Sequence, residues 1–111
     1  MVDFNCLDAV IHGPVRLGIL TSLHTRGDQD FSALKDLLAT TDGALGMHLK
    51  RLEDAGYLHC RKSFAGRKPK STYAITAAGR RALARYAEAM EAIVALVRSK
   101  ERQSPSEPPL D

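Results

Sequence analysis

The apolar residues of this 111-residue chain recur at helical spacing over most of its length and change once to a strand-like pattern. Phe4, Leu7, Val10 and Ile11 fit one face of a short, weakly capped first helix over 4–11. Gly13-Pro14 interrupts that pattern, and Pro14 suits the first position of the next helix, where its missing N–H costs little. This second helix runs to about His24 with Val15, Ile19, Leu20 and Leu23 inward, and stops at Arg26-Gly27-Asp28. Gln29 to Phe31 is long enough only for a small strand pairing with a hairpin. Ser32 then suits the N-cap of a helix over 33–39 with Leu34, Leu37 and Leu38 on one face. Thr40-Thr41-Asp42 makes a turn and a new cap. The following helix reaches Ala55 with Leu45, Leu49 and Leu52 inward, and Gly56 closes it as a residue that tolerates the left-handed conformation.

Beyond Gly56, Leu58 to Phe64 and Lys70 to Ile75 predict two strands around the turn cluster Ala65-Gly66-Arg67-Lys68-Pro69. Thr76 caps a last helix that is rich in Ala, Arg and Glu and runs to about Lys100. The two short helices joined by a tight polar turn form a helix-turn-helix. The fold class is therefore mainly α with a small β-hairpin, a single domain over residues 1–100. The Ser- and Pro-rich end is expected to be a disordered tail over 101–111.

Charge sharpens this picture. The formal net charge is +3, but the tail holds Glu101, Glu107 and Asp111 against Arg102, which leaves +5 on residues 1–100. Arg61, Lys62, Arg67, Lys68 and Lys70 fall within ten positions that contain no acid. Such a run is either a solvated loop or a polyanion site, and the second holds when the fold points it outward beside a recognition element. With 44% hydrophobic and 26% charged residues, a globular domain is expected. No apolar run is long enough for a bilayer, and Met1 to Asn5 lack the basic and apolar regions of a secretory signal, so a cytoplasmic protein is expected.

The segments Arg16-Leu17-Gly18-Ile19-Leu20, Phe31-Ser32-Ala33-Leu34-Lys35, Leu52-Glu53-Asp54-Ala55-Gly56-Tyr57, Gly66-Arg67-Lys68-Pro69-Lys70 and Ile75-Thr76-Ala77-Ala78-Gly79-Arg80 carry a resemblance. So do Asp42-Gly43-Ala44-Leu45 with His48-Leu49. In their order they resemble winged-helix transcriptional regulators, and more narrowly compact single-domain proteins related to the MarR family, over roughly residues 7 to 85. The resemblance implies a homodimeric regulator of transcription that binds double-stranded DNA, with the hairpin as its wing. Where such proteins usually place Asn and Ser in the first turns of the recognition helix, this chain departs from the pattern with Ala44 and Gly46. A mid-helix glycine costs roughly 1 kcal/mol relative to alanine, so Gly46 reflects close backbone approach to DNA, tight packing against a neighbouring helix, or drift.

In a helix-turn-helix the second helix lies in the major groove with its N-terminal part at the base edges. Its outward face would present Gly43, Ala44, Gly46, Met47, Lys50 and Arg51. Met47 suits a thymine methyl, while Lys50 and Arg51 suit phosphates or guanine. Ser32 and Thr41, at helix N-termini, suit phosphate oxygens or ordinary capping. Arg67 and Lys68 at the wing tip would meet the adjacent minor groove; Lys70 joins them as a candidate, although strand alternation lets only some of Arg61, Lys62 and Lys70 face DNA. His48 is expected at the edge of the core, hydrogen bonded.

Leu83, Tyr86, Met90, Ile93 and Val97 follow the a/d spacing of a helix–helix seam. About 25 residues of helix extend roughly 37 Å, more than a domain of this size covers. A homodimer interface is expected from Tyr86, Met90, Ile93, Val94 and Val97, with Phe4, Leu7 and Ile11 of the first helix lying across it.

Other functions find less support. There is no Gly-rich phosphate loop and no recognisable nucleophile or metal-water arrangement, so an enzyme is not expected and no cofactor is implied. Cys6 and Cys60 lack the spacing of a zinc site and are expected to be reduced thiols. A metal-sensing regulator would draw on Cys6, His12, His24, His59 and Cys60, but adjacent strand residues such as His59 and Cys60 face opposite ways. No residue identifies a small-molecule effector. The alternative from another class is a winged helix used for protein–protein contact.

Overall fold

The structure, a computed structural model, describes residues 3–103. A one-turn 3-10 helix, Phe4–Cys6, precedes α1 (Pro14–Arg26), β1 (Gln29–Asp30), α2 (Phe31–Leu38), α3 (Asp42–Asp54), β2 (Leu58–Ala65), β3 (Lys68–Ile75) and α4 (Ala77–Gln103). The strands form one antiparallel sheet in the order β1-β3-β2. Ile19, Leu20 and Leu23 of α1, Leu34 of α2 and Leu45, Leu49 and Leu52 of α3 share one core with Leu58, Ile75, Ala82 and Tyr86.

Several expected boundaries move, each for a local reason. Of residues 4–11 only the 3-10 turn Phe4–Cys6 is helical. Asp3 Oδ1 accepts from Asn5 N at 2.9 Å, and the Asp8 carbonyl accepts from the N–H groups of Ile11 and His12 at 3.1 and 2.8 Å, so short turns absorb the backbone. In α2 the N-cap is Asp30 rather than Ser32: its Oδ1 accepts from Ala33 N at 2.8 Å. The helix thus begins at Phe31 directly after β1. Leu37 consequently lies 41% exposed while Leu34 is buried. The helix ends at Ala39 with φ 49 and ψ 47, a left-handed residue without glycine's freedom.

Thr41 caps α3 as expected, its Oγ1 accepting from Ala44 N at 3.2 Å. The far end is a complete Schellman closure: Tyr57 N donates to Leu52 O at 3.0 Å and Gly56 N to Glu53 O at 2.9 Å, with Gly56 at φ 80. The hairpin is longer and tighter than its sequence predicts, since Ala65 pairs with Lys68 and only Gly66-Arg67 turn the corner. Gly66 at φ 67 supplies the positive φ that the first central position of a type II′ turn requires. Lys68 and Pro69 therefore belong to β3. Pro69 is tolerated there because β1 pairs with β3 only at Thr72 and Tyr73, leaving this stretch of the strand without a neighbour on that side.

The last helix continues to Gln103, past the expected boundary at residue 100, through Glu101, Arg102 and Gln103, which favour helix. Residues 104–111 of the expected tail lie outside the described residues. Within α4 only the first turns are buried, at Gly79, Ala82 and Tyr86. A radius of gyration of 18.0 Å exceeds the ~13 Å of a compact chain of this length; the projecting helix and hairpin account for the difference.

One junction locks these parts together. Thr76 N donates to the Tyr57 carbonyl at 3.0 Å, Thr76 Oγ1 donates to Gly56 O at 2.6 Å, and Thr76 Oγ1 accepts from Gly79 N at 3.0 Å. A Cβ on Gly79 would drive into the Tyr57 carbonyl and stand 2.9 Å from Ile75 Cγ1. Backbone cannot rotate out of the way as a side chain does. Gly79→Ala should therefore destabilise the domain by about 1–3 kcal/mol in denaturant unfolding; wild-type stability in that variant would show that α4 is not seated on this carbonyl.

Candidate nucleic-acid interface

Because α3 buries Leu45, Leu49 and Leu52, its opposite face is left to solvent. Gly43, Met47, Lys50 and Arg51 are exposed there, Met47 by 72%, and Ala44 and Gly46 are half-buried. A Cβ at Gly46 would meet no atom within 4 Å, and the same holds at Gly43. Tight packing against a neighbouring helix is thus ruled out as the reason for Gly46. The missing side chain instead opens a groove of about 540 Å³ between α3 and the sheet, walled by Gly46, Lys50 and Glu53 on one side and Cys60, Lys62 and Tyr73 on the other.

Strand alternation decides which wing cations share that side. Leu58, Cys60, Lys62 and Phe64 lie on the face of β2 turned to α3, opposite Ile75, Tyr73, Ser71 and Pro69 of β3. Arg61, Lys68 and Lys70 lie on the other face. Lys70 Nζ stands 3.7 Å from Asp30 Oδ2, and Arg61 Nη1 4.0 Å from Asp28 Oδ2. Lys70, one of the expected DNA contacts, lies on the face turned away from α3 and has an acidic neighbour. Lys62 is the strand cation that lines the groove beside α3, and counting in twos from the buried Leu58 would have found it. Lys62, Arg67 and Lys68 have no ion pair among the described residues.

The profile of the Winged helix DNA-binding domain family matches residues 15–94. The chain belongs to this family. It is 36% identical over 77 residues to an uncharacterized protein of Methanocaldococcus jannaschii, a match that covers 69% of this chain and 84% of the other. Among solved structures it is similar to a transcriptional regulator homologue from Pyrococcus horikoshii OT3, with TM-score 0.77 and 29% identity over 84% of this chain and 93% of that one. It is also similar to a transcriptional regulator from Thermotoga maritima, with TM-score 0.64 and 25% identity over 80% of this chain and 62% of that one.

In winged-helix terms, α2 and α3 are the helix-turn-helix and β2–β3 the wing. The turn between the helices is stitched by Lys35 Nζ to Asp42 Oδ1 at 2.8 Å, and Asp42 holds the lysine pKa above its ordinary value. Lys50 makes a looser pair with Asp54 at 3.7 Å, both side chains largely exposed, a contact worth little in water. Ser32 stands at the second position of α2, and the helix N-terminus beside it already carries the Asp30 carboxylate. A phosphate there would meet like charge. Tyr73, in the wall of the groove, is pushed up to about 12 by burial and by its neighbour Cys60, so it stays a neutral phenol.

His48 is half-buried on the flank of α3, with Nδ1 3.1 Å from Arg16 Nη1. Burial, and then the charges of Arg16 and Arg51, hold its pKa below the ordinary value. The neutral ring accepts from the guanidinium, whose Nε donates to the Val10 carbonyl at 2.5 Å. The metal candidates Cys6, His12, His24, His59 and Cys60 do not converge: no group of three or more His, Cys, Asp or Glu side chains assembles among the described residues. Among those residues, no helix is long and apolar enough to cross a membrane.

Since the space over Gly46 is empty, Gly46→Ala should raise the stability of the free protein by about 1 kcal/mol in thermal or denaturant unfolding. A decrease in stability would mean that the glycine serves the fold rather than the groove.

Proposed function

We propose that this protein is a homodimeric transcriptional regulator that binds double-stranded DNA sequence-specifically, with α3 in the major groove and the wing at the adjacent minor groove. The observation that carries this reading is the exposed α3 face standing across one open groove from Lys62, with Arg67 in the turn and Lys68 beside it at the wing tip, three cations that have no acidic partner among the described residues. Phosphate contacts from the wing would supply affinity, and Gly43, Ala44, Met47, Lys50 and Arg51 would meet the bases and nearby backbone. Thr41, at the N-terminus of α3, would add a phosphate contact through its exposed helix end. The likeness to transcriptional regulators of Pyrococcus horikoshii OT3 and Thermotoga maritima supports the regulatory role.

For the dimer, the support lies in α4. Val94, Leu96 and Val97 are 43%, 54% and 54% exposed, and Ile93 is half-buried beside them. An apolar groove of about 550 Å³ between α1 and α4, lined by Leu17, Leu83, Ala87 and Met90 among others, continues toward that end. The expected seam is divided, however. Ile11 at 0% and Tyr86 at 5% exposure belong to the core of their own domain, and the Tyr86 hydroxyl lies 2.7 Å from His12 Nδ1. Leu7 and Met90 are partly buried against the same core, which leaves Phe4, Ile93, Val94 and Val97 for a partner.

Alanine at Lys62, Arg67 and Lys68 should weaken binding to all duplex sequences and flatten the plot of log K against log salt by about 0.9 for each phosphate released. An unchanged slope would remove the wing from the interface, and no DNA binding by the wild type would favour a protein–protein module instead. Ile93→Lys together with Val97→Lys should give a folded monomer by sedimentation with little affinity for a palindromic site, because lysine ammonium groups resist burial in an apolar seam. A dimer that survives both lysines would place the contact elsewhere.

A further inference from the structure

Phe64 is 74% exposed at the far end of β2, although nothing in the core or the helix-turn-helix requires an aromatic ring there. It pairs across the hairpin with Pro69, one step before the closing pair Ala65 and Lys68. Alternation puts both on the side of the ladder shared by Cys60, Lys62 and Tyr73, the side that looks toward α3. Lys62 shares the face of this apolar tip, Arg67 sits in the turn beyond it and Lys68 lies on the opposite face of the ladder, and no acid occurs anywhere in residues 61–70. A surface that is both apolar and cationic fits a partner with phosphates outside and apolar edges within.

The reach of the hairpin suits one such place. Phe64 lies four residues beyond Cys60, about 13 Å along the strand. That is comparable with the roughly 17 Å, half a helical turn, that separates a major groove from the neighbouring minor groove. Proteins that enter the minor groove often insert Phe or Pro side chains between base pairs, unstacking one step and kinking the duplex toward the major groove.

We propose that Phe64, backed by Pro69, is a wedge that enters the minor groove at a base step, so that the protein bends its DNA as well as binding it. The proposal rests on the DNA-binding reading above and adds a deformation that the cations alone would not cause. Arg67 and Lys68 anchor the flanking phosphates, and Phe64 pries the step open. Flexible pyrimidine–purine steps, which unstack at low cost, are favoured at the position under the wing tip.

The test uses full-length protein and a duplex site selected by it from random DNA, with fluorophores at the two ends and 2-aminopurine at the step beneath the wing. Wild type should shorten the end-to-end distance by a bend within about 20–90° and raise 2-aminopurine fluorescence. Phe64→Ala should bind more weakly yet leave the duplex straight and the fluorescence quenched, with the salt slope unchanged because the wing cations keep their phosphates. Phe64→Leu should restore most of the bend. Since the ring is exposed, all three proteins should share one melting curve. A straight duplex under wild type, or equal bending by wild type and Phe64→Ala, overturns the wedge while leaving DNA binding intact. If wild type ignores DNA and instead binds phosphatidylserine vesicles through Phe64, both readings fall and the tip is a membrane contact.

Discussion

The carbonyl of Tyr57 is the point on which the geometry of this domain turns. It accepts the N–H of Thr76 at 3.0 Å and lies beneath Gly79, where even a methyl group has no room. Thr76 joins the same spot to Gly56 and caps α4. The end of α3, the root of both wing strands and the start of α4 are thereby fixed beside one another. The angle between recognition helix and wing follows from this junction, because the hairpin has little other support: from Arg61 to Lys70 every residue is exposed. A long hairpin can point reliably from a small domain only if its base is rigid. Gly56, Thr76 and Gly79 make it so, and the Tyr57 hydroxyl, donating to Asp8, extends the same clamp to the N-terminal segment.

Elements with strong local signals are legible in the sequence. Leu45, Leu49 and Leu52 give α3 its inward face, Gly56 its stop, Thr41 its start, and Thr76 the start of α4. Expectation and structure part where tertiary pairing chooses between local options. Ser32 and Asp30 are both good capping residues, and β1 decides for Asp30 by bringing it against β3, next to Lys70. The apolar spacing of residues 4–11 resembles a helix, but Asp3 and Asp8 satisfy backbone N–H groups locally and Ile11 is drawn into the core as a single anchor. The side of the wing is readable in principle, since alternation runs from Leu58; the charge run hides it by making Arg61, Lys62 and Lys70 look alike.

Charge on the wing is sorted by face. Asp28 and Asp30 stand near Arg61 and Lys70 on the outer side, while Lys62 faces the groove, Arg67 sits in the turn, and Lys68 lies at the tip on the outer side beyond the reach of either acid. The effect is to concentrate uncompensated positive charge along the line between α3 and the wing tip, although the chain as a whole carries only +3. Attraction for a polyanion depends on such local density more than on the total, because charges farther apart than about 10 Å are screened at ordinary salt.

The outward face of α3 bears on what the interface could distinguish. Gly43, Ala44, Gly46 and Met47 offer no neutral hydrogen-bonding side chain where base edges would lie, so a base code built on paired donors and acceptors has few groups to use. A bare backbone can approach closely, a methionine can fill the space over a thymine methyl, and the wing can favour steps that deform easily. None of the three depends on hydrogen bonds to base edges: the methionine contact is apolar, and the other two follow the shape and deformability of the duplex. Such selection demands that the reading helix be held firmly, since a loose helix would fit many surfaces equally well. The neutral His48, bound to Arg16 and through it to the Val10 carbonyl, supplies that restraint on the flank of α3. Recognition by a helix with few polar side chains is thus consistent with a domain that spends its polar contacts on holding that helix still.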